Sequence, residues 1–293
     1  MRSDKVCVAR ALHLYSSYAR TSVARSDHCP FTHRKKVRDP MPTTDDGSLY
    51  GQRAAGVYDE DTPACDERMI DALAMLASGG RVLELGIGTG RVALPLAARG
   101  LPVEGIDISP EMVDQLRAKP GGADIKVTMG SFADVSVVGR FDLVYVVFNT
   151  FYMLRTREEQ MRCVQRVAEH LSPGGSFVLE GFLLNQHEYP TTRRGVKTRA
   201  HSDATRSEAT QRPHETQNIT LDYAGVGIGG VRRFPLDLRV PSPSELDLMA
   251  RSAGLRLSTR WSDWDAEPFT EQATKHVSIY TAARPPHGSS ARR

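Results

Sequence analysis

Short apolar runs alternate with longer amphipathic segments from about residue 62 to residue 182. Five of these runs have the length and composition of strands: RVLEL (81–85), PVEGID (102–107), DIKVTM (124–129), FDLVYVVF (141–148) and SFVLEGF (176–182). The fourth run is apolar almost throughout, which is typical of a strand that is buried on both faces. The alternation of strands and helices predicts a parallel α/β architecture.

Helix start signals lie between these strands and beyond them. Thr62, followed by Pro63, predicts the N-terminus of a first helix, and Ser109 predicts the start of the helix after the second strand. Thr156 and Ser242 are each followed three residues later by Glu, the pattern of a capping box that opens a helix.

The pattern changes after the fifth strand. Residues 191–217 are polar and rich in Thr, Arg and His; we expect a solvated loop there, with a basic lid for an acidic substrate as the alternative. NITLDY (218–223) and FPLDLRV (234–240) alternate like exposed antiparallel strands. LRLSTRW (255–261) and HVSIYTAA (276–283) predict an antiparallel pair at the edge of the sheet.

Length and composition limit the classes of protein. A chain of 293 residues with 40% hydrophobic residues can bury one core that carries an inserted cap. No apolar run approaches the roughly 20 residues that cross a bilayer, so we expect no membrane span. The four cysteines lie far apart without the spacing of a zinc site, which predicts a cytoplasmic protein with reduced thiols and no bound metal.

Charge is distributed unevenly along the chain. Residues 1–40 hold nine basic and three acidic side chains, so they carry a net +6 and the remainder carries a net −3. An acidic body attracts polyphosphate poorly, and we therefore expect no nucleic acid partner.

The charge pattern also suggests a division of the chain. We expect residues 1–45 to be a disordered basic leader, with a transit peptide or translation from upstream of a start at Met41 as further interpretations. The folded domain is predicted at 46–283 with a cap insert at about 186–240, followed by a disordered tail at 284–293.

Three glycines follow the first predicted strand at alternate positions, Gly86, Gly88 and Gly90. Missing side chains let the chain turn tightly and bring backbone N–H groups against a ligand at the carboxyl edge of the sheet. A dinucleotide-binding loop would place its third glycine at position 91, where this chain has Arg91. A nicotinamide-dependent oxidoreductase is therefore the weaker alternative.

Four motifs in order resemble the class I S-adenosylmethionine-dependent methyltransferases over about residues 50–283: VLELGIGTG, GIDIS, FDLVYVVFNTF and LSPGGSFVLEGF. The resemblance implies a Rossmann-like, doubly wound, mostly parallel seven-stranded sheet with an antiparallel edge strand and a small β insert after strand five. It also implies S-adenosyl-L-methionine as the cofactor. The insert and the segment YDED are loosely similar to small-molecule tailoring methyltransferases, such as those that methylate amino sugars.

The resemblance assigns roles around the cofactor. Glu84 is expected near the ammonium end of the methionine part, and Asp107 near the ribose hydroxyls, although Asp107 also fits a simple helix cap. Relatives often carry Gly-Asp where this chain has Gly130 and Ser131, so the group that binds the adenine amino nitrogen stays open. The full set of expected cofactor-binding residues is Glu84, Gly86, Gly88, Gly90, Asp107, Ile108, Met112, Ser131, Phe132, Phe148 and Asn149.

The candidate catalytic residues are Tyr58, His187 and Glu180, each of which also has an ordinary structural interpretation. The segment after strand four lacks the Asn/Asp-Pro-Pro-Tyr/Phe tetrad of enzymes that methylate planar nitrogens. We therefore expect methyl transfer to a nitrogen, oxygen or carbon of a small molecule, natural-product or sugar-like. A noncatalytic S-adenosylmethionine-binding protein is the alternative, and the oligomeric state stays open between monomer and dimer.

Overall fold

The structure is a computed structural model that describes residues 48–62, 65–184, 196–202, 205–211, 217–227 and 230–282. These residues all lie in one of the two units into which the chain divides, Thr44–Arg293. The predicted leader, the predicted tail and His187 lie outside the described residues.

The strands of the described residues form two sheets. In chain order the strands are β1 (Val82–Leu85), β2 (Val103–Asp107), β3 (Lys126–Met129), β4 (Phe141–Val146), β5 (Leu171–Phe182), β6 (Val196–Ser202), β7 (Thr205–Gln211), β8 (Asn218–Gly227), β9 (Gly230–Arg239), β10 (Leu255–Trp261) and β11 (Lys275–Ala282). The larger sheet has the order β10-β11-β5-β4-β1-β2-β3, and β6 to β9 form the smaller one.

The larger sheet is mostly parallel, as predicted. Strands β1 to β5 pair in parallel, whereas β11 runs antiparallel to both β5 and β10. The chain proceeds outward from β1 to β2 and β3, then crosses to β4 on the other side of β1. The carboxyl ends of β1 and β4 therefore flank the topological switch point, where open α/β sheets bind ligands.

Helices connect the strands. They are α1 (Ser48–Ala54), α2 (Tyr58–Asp61), α3 (Glu67–Ala77), α4 (Ala93–Ala98), α5 (Pro110–Arg117), α6 (Arg157–His170) and α7 (Pro243–Ser252). The caps predicted at Ser109 and Thr156 are confirmed, and Thr156 forms the complete capping box. Ser242 also caps its helix, but Glu245 pairs with Arg239 at 2.6 Å instead of completing the box.

The predicted start of the first long helix was wrong. Helix α3 begins at Glu67, and the side chain of Asp66 accepts a hydrogen bond from the Arg68 N–H. The Thr62 hydroxyl, just after α2, instead donates to the carbonyl of Tyr58, the first residue of that helix. Asp and Thr are both good N-caps, and Asp66 lies next to the point where the buried face of the helix begins.

The core lies on both faces of the larger sheet. In β4, Phe141, Val144 and Val146 belong to one buried apolar cluster, while Leu143 and Tyr145 belong to the cluster on the opposite face. The prediction of a strand buried on both faces is therefore confirmed.

The β insert after strand five is a four-stranded antiparallel sheet. The expectation of a loop at 191–217 was wrong, because β6 and β7 lie within that segment. Their backbone groups pair with each other and with β8, which satisfies the hydrogen bonds of a polar segment that has little apolar alternation. The pairing predicted for β10 and β11 is confirmed.

Buried contacts join the insert to the larger domain. Ile219 and Leu238 pack in the main apolar cluster. The Gln160 amide donates hydrogen bonds to the carbonyls of Arg239 and Leu154 at 2.9 and 3.0 Å.

No helix among the described residues is long and apolar enough to cross a membrane.

Candidate active site

Glycine is required at the three positions after β1 for different reasons, either close packing or a left-handed backbone angle. All three have left-handed φ values, between +53° and +78°. A Cβ at Gly86 would lie 2.5 Å from Thr150 Cγ2, and a Cβ at Gly90 would lie 2.3 Å from Leu116 Cδ1, so both positions are closely packed. Gly88 has open space where a Cβ would lie, and its Cα faces the cavities described below.

Asp107 ends β2 and holds the glycine loop. Its carboxylate accepts hydrogen bonds from the Gly88 N–H at 2.6 Å and from the Ser109 N–H at 2.8 Å. Burial raises the pKa of Asp107, and these N–H groups oppose the shift. The helix cap itself is Ser109, whose hydroxyl accepts from the Met112 N–H. Asp107 therefore fixes the loop and still presents oxygen lone pairs to the adjacent cavity.

A cleft of about 670 Å³, which includes open solvent, lies at the carboxyl ends of β1 and β2. Its lining contains eight residues that the sequence had singled out: Tyr58, Gly86, Gly88, Asp107, Ile108, Met112, Ser131 and Phe132. The other six lining residues were not predicted from the sequence: Tyr50, Gly51, Ser109, Thr150, Met153 and Leu154. These come from α1, from the helix cap and from the turn after β4, and no local pattern marks them as neighbours of the glycine loop.

A second cavity of about 330 Å³ adjoins this cleft. Gly86, Gly88, Tyr58 and Thr150 line both spaces. The second cavity also has lining residues of its own: Glu84, Leu85, Ile87, Thr89, Arg91, Val92, Val147 and Phe148. The glycine loop thus lies between a larger, mostly apolar cleft and a smaller cavity that is lined by one acidic side chain, Glu84, and one basic side chain, Arg91.

Glu84 is buried in the wall of the smaller cavity. The Tyr145 hydroxyl donates to Glu84 Oε2 at 2.8 Å. Burial raises the pKa of Glu84 to about 8, although the Tyr145 hydrogen bond and the charge of Arg91 oppose the shift. Without a bound cation, this carboxyl group is therefore mostly protonated at neutral pH.

Arg91 and Tyr58 lie together in the same cavity. The Arg91 guanidinium stacks 3.8 Å from the centroid of the Phe148 ring. Burial raises the pKa of the Tyr58 hydroxyl, although Arg91 favours its ionised form. Tyr58 is therefore a neutral hydrogen-bonding group at physiological pH. In the sequence, Arg91 stands out only as the residue that breaks a dinucleotide motif.

The turn after β4 has an unusual backbone. Phe148 and Asn149 both have left-handed φ values, 55° and 66°, which cost energy in residues other than glycine. Glu180 Oε2 accepts from the Phe148 N–H at 3.0 Å, and Asn149 Oδ1 accepts from the Phe182 N–H at 2.8 Å. Two hydrogen bonds to β5 therefore hold this turn in place.

Glu180 and Asn149 do not line either cavity. The other carboxylate oxygen of Glu180 accepts from Trp264 Nε1 at 3.1 Å, so both oxygens are engaged. Gly90 also packs outside both cavities. Of the candidate catalytic residues that the structure describes, only Tyr58 lies in the cleft wall.

Helix α2 contacts the glycine loop, and α1 packs on the start of α5. Gly51 lies so close to Ser109 that a Cβ would be 2.0 Å from Ser109 Oγ. Asp59 accepts a hydrogen bond from Thr89 Oγ1 at 2.7 Å and pairs with Lys119 at 2.6 Å. These contacts hold Tyr58 over the point where the two cavities meet.

Comparison with known proteins identifies the class. A family model described as a methyltransferase domain matches residues 82–175. The CcbJ methyltransferase from Streptomyces caelestis has a solved structure that is 35% identical to this chain, with a TM-score of 0.72; the match covers 82% of this chain and all of that one.

Two further relatives agree with this class. A cypemycin N-terminal methyltransferase from a Streptomyces species is 28% identical over 212 residues, 69% of this chain and 82% of the relative. CalS10 from Micromonospora echinaspora, an amino pentose methyltransferase solved with bound S-adenosylmethionine, shares the fold at 21% identity and a TM-score of 0.57, with 78% of this chain and 95% of that chain covered. This chain therefore belongs to the class I S-adenosylmethionine-dependent methyltransferases.

Proposed function

We propose that this chain transfers the methyl group of S-adenosylmethionine to an amine nitrogen of a small natural product. The observation that carries the choice of nitrogen is the similarity to the cypemycin N-terminal methyltransferase, which extends over 82% of that relative. The proposal narrows the sequence-based expectation, which left nitrogen, oxygen and carbon acceptors open.

The two cavities fit the two ends of the cofactor. Asp107 has free lone pairs for the ribose hydroxyls, and Ile108, Met112 and Phe132 supply apolar surface for the adenine ring. In the smaller cavity Glu84 lines the space for the ammonium, whose positive charge would favour the ionised carboxylate. Gly88, whose Cα is open to both spaces, leaves room for the chain of atoms that joins the two ends.

The acceptor must supply the nucleophile that attacks the methyl group. When bound, S-adenosylmethionine supplies an electrophilic methyl group on a sulfonium leaving group. Met153, Leu154 and Tyr50 make the larger cleft apolar, and desolvation there lowers the pKa of an amine and so favours its neutral, nucleophilic form. An amine then needs no strong base, whereas a hydroxyl would need one.

Tyr58 and Glu180 take different roles in this proposal. Tyr58 stands where the cavities meet, and its neutral hydroxyl orients cofactor or acceptor through hydrogen bonds. Glu180 is a positioning residue, because it holds the Phe148 backbone and does not line the cleft. His187 stays a candidate for acceptor contact from the cap insert.

The role of Asp107 predicts a specific loss of affinity. Asp107→Asn keeps the size of the side chain but removes the charge, so binding of S-adenosylhomocysteine should weaken by about 10- to 100-fold, the effect of hydrogen bonds to a charged group. Isothermal titration calorimetry measures this change. Asp124→Asn, an exposed control, should bind like wild type. Equal affinities for wild type and a folded Asp107→Asn variant would remove Asp107 from the site.

The buried Glu84 predicts a pH-dependent stability. Its pKa is about 8 in the folded protein and 4.5 unfolded, so between these values the native state binds more protons and stability falls as pH rises. In the ligand-free protein, the stability of Glu84→Gln relative to wild type should therefore rise with pH across this window, by at most about 1.4 kcal/mol per pH unit. Urea unfolding from pH 5 to pH 9 measures it; a constant difference would contradict the assignment.

Paired acceptors test the proposed reaction. The acceptors are an amino sugar and a short peptide with a free N-terminus. Each is incubated with S-adenosylmethionine, in parallel with its N-acetylated form and with the analogue in which a hydroxyl replaces the amine. We expect S-adenosylhomocysteine and a singly methylated product only with a free amine, detected by mass spectrometry. Methylation of the hydroxyl counterparts in preference to the amines would contradict the choice of nitrogen.

A further inference from the structure

Part of the cleft wall comes from a short 3₁₀ helix after β4, Thr150–Met153, which is called the wall turn below. Met153 and the next residue, Leu154, line the larger cleft and supply apolar surface to it. Tyr152 belongs to the same turn but is fully buried and does not line the cleft. Its hydroxyl instead donates to the Phe182 carbonyl at 2.9 Å, at the end of β5. The wall turn is therefore held by a contact outside the cleft.

The end of β5 is shaped to receive the Tyr152 hydroxyl. The rings of Tyr152 and Phe182 meet edge to face, with their centroids 5.3 Å apart. A Cβ at the neighbouring Gly181 would overlap the Tyr152 hydroxyl, so this contact requires glycine there. The Phe182 N–H also donates to Asn149 Oδ1 at 2.8 Å, just before the wall turn. Both backbone polar groups of Phe182 are thus bonded to this segment.

A buried histidine lies against the same hydroxyl. His276 stands on β11 opposite Gly181, and its Nε2 atom is 3.2 Å from the Tyr152 hydroxyl oxygen. Burial lowers the pKa of His276 to about 3, so the ring is neutral at physiological pH. A neutral imidazole carries one N–H, and the partners of its two nitrogens decide which nitrogen holds it.

The hydrogen bonds around His276 run in one direction. The Phe182 carbonyl can only accept, so the single hydroxyl proton of Tyr152 points to it, and the hydroxyl oxygen accepts from Nε2–H of His276. Nδ1 of His276 then accepts from the Ser278 hydroxyl at 2.8 Å, and Ser278 Oγ accepts from the Arg260 Nε–H at 2.7 Å. Every donor in this chain is directed toward the wall turn, which fixes the orientation of the last hydroxyl.

We propose that Tyr152 and His276 are positioning residues for methyl transfer: they fix the wall turn to the end of β5 and so place Met153 and Leu154 against the acceptor. The inference rests on the proposed function, which assigns the apolar surface of the larger cleft to the acceptor. The backbone before the wall turn keeps a separate hydrogen bond to Glu180. Loss of the Tyr152 hydroxyl should therefore disturb acceptor binding more than cofactor binding.

Four variants separate positioning from general stability. Tyr152→Phe removes the hydroxyl, and His276→Leu removes the group that donates to it. His276→Gln is the conservative replacement, because its amide can donate from about the place of Nε2–H. Tyr280→Phe is the matched control: Tyr280 is also a buried tyrosine, but its hydroxyl donates to Asp247 at 2.8 Å instead of to the wall turn. Urea unfolding gives the stability of each variant.

Steady-state assays with the same amino sugar and peptide give the KM for the acceptor and kcat, and isothermal titration calorimetry gives the Kd of S-adenosylhomocysteine. We expect Tyr152→Phe and His276→Leu to raise the acceptor KM by about 5- to 20-fold, the effect of losing one buried hydrogen bond. Their Kd should stay within about threefold of wild type. His276→Gln and Tyr280→Phe should stay within about threefold of wild type in both quantities.

Hydrogen exchange measured by mass spectrometry gives a readout that needs no acceptor. With S-adenosylhomocysteine bound, the peptide that contains the wall turn should exchange about tenfold faster in Tyr152→Phe and His276→Leu than in wild type. The same peptide should exchange at the wild-type rate in His276→Gln and Tyr280→Phe.

Unchanged exchange of the wall turn in Tyr152→Phe would overturn the inference. An equal rise of the acceptor KM in Tyr280→Phe would also overturn it, because the effect would then follow stability alone. A Kd for S-adenosylhomocysteine that rises as much as the acceptor KM would contradict the assignment to the acceptor. If wild type methylates neither amine but exchange rises only at the wall turn, the positioning role is supported and the proposed acceptor class fails.

Discussion

The hydrogen bond from the Gly88 N–H to the Asp107 carboxylate connects the two strands on which the site depends. At 2.6 Å it fixes the loop after β1 against the end of β2, and a second bond to the Ser109 N–H fixes the start of α5. The same carboxylate therefore sets the backbone of three elements. Because the loop lies between the two cavities, their shapes follow from this contact.

The wall of the smaller cavity that contains Phe148 depends on a strained turn after β4. Phe148 and Asn149 hold left-handed backbone conformations. Two hydrogen bonds retain them: the Phe148 N–H donates to the Glu180 carboxylate, and the Phe182 N–H donates to Asn149 Oδ1. Strain of this kind persists where surrounding contacts determine it, and it is common at functional sites. Here it places the Phe148 ring beneath Arg91 in the smaller cavity. The precision of the site therefore comes from polar contacts outside the cavities.

Local patterns predicted the sheet, the glycine loop and the position of Asp107, because strand periodicity and turn chemistry depend on neighbouring residues. The prediction of Thr62 as the helix cap was wrong, since Asp66 is an equally good cap and tertiary packing decides between them. Residues brought in from distant elements, such as Tyr50, carried no local pattern. Glu180 was marked, but its engagement with the β4 turn depends on pairing between distant strands. Arg91 was visible only as an irregularity, because its stacking partner lies far away in sequence.

The central claim is that adenosine occupies the cleft beside Asp107 and the amino acid end of the cofactor occupies the smaller cavity, which contains Glu84. A crystal structure with S-adenosylhomocysteine bound tests this most directly. The account predicts that both ribose hydroxyls donate to Asp107, and that the ammonium of the amino acid end lies beside Glu84. A ligand bound elsewhere on the chain, or in the reverse orientation with the adenine in the smaller cavity, would contradict it.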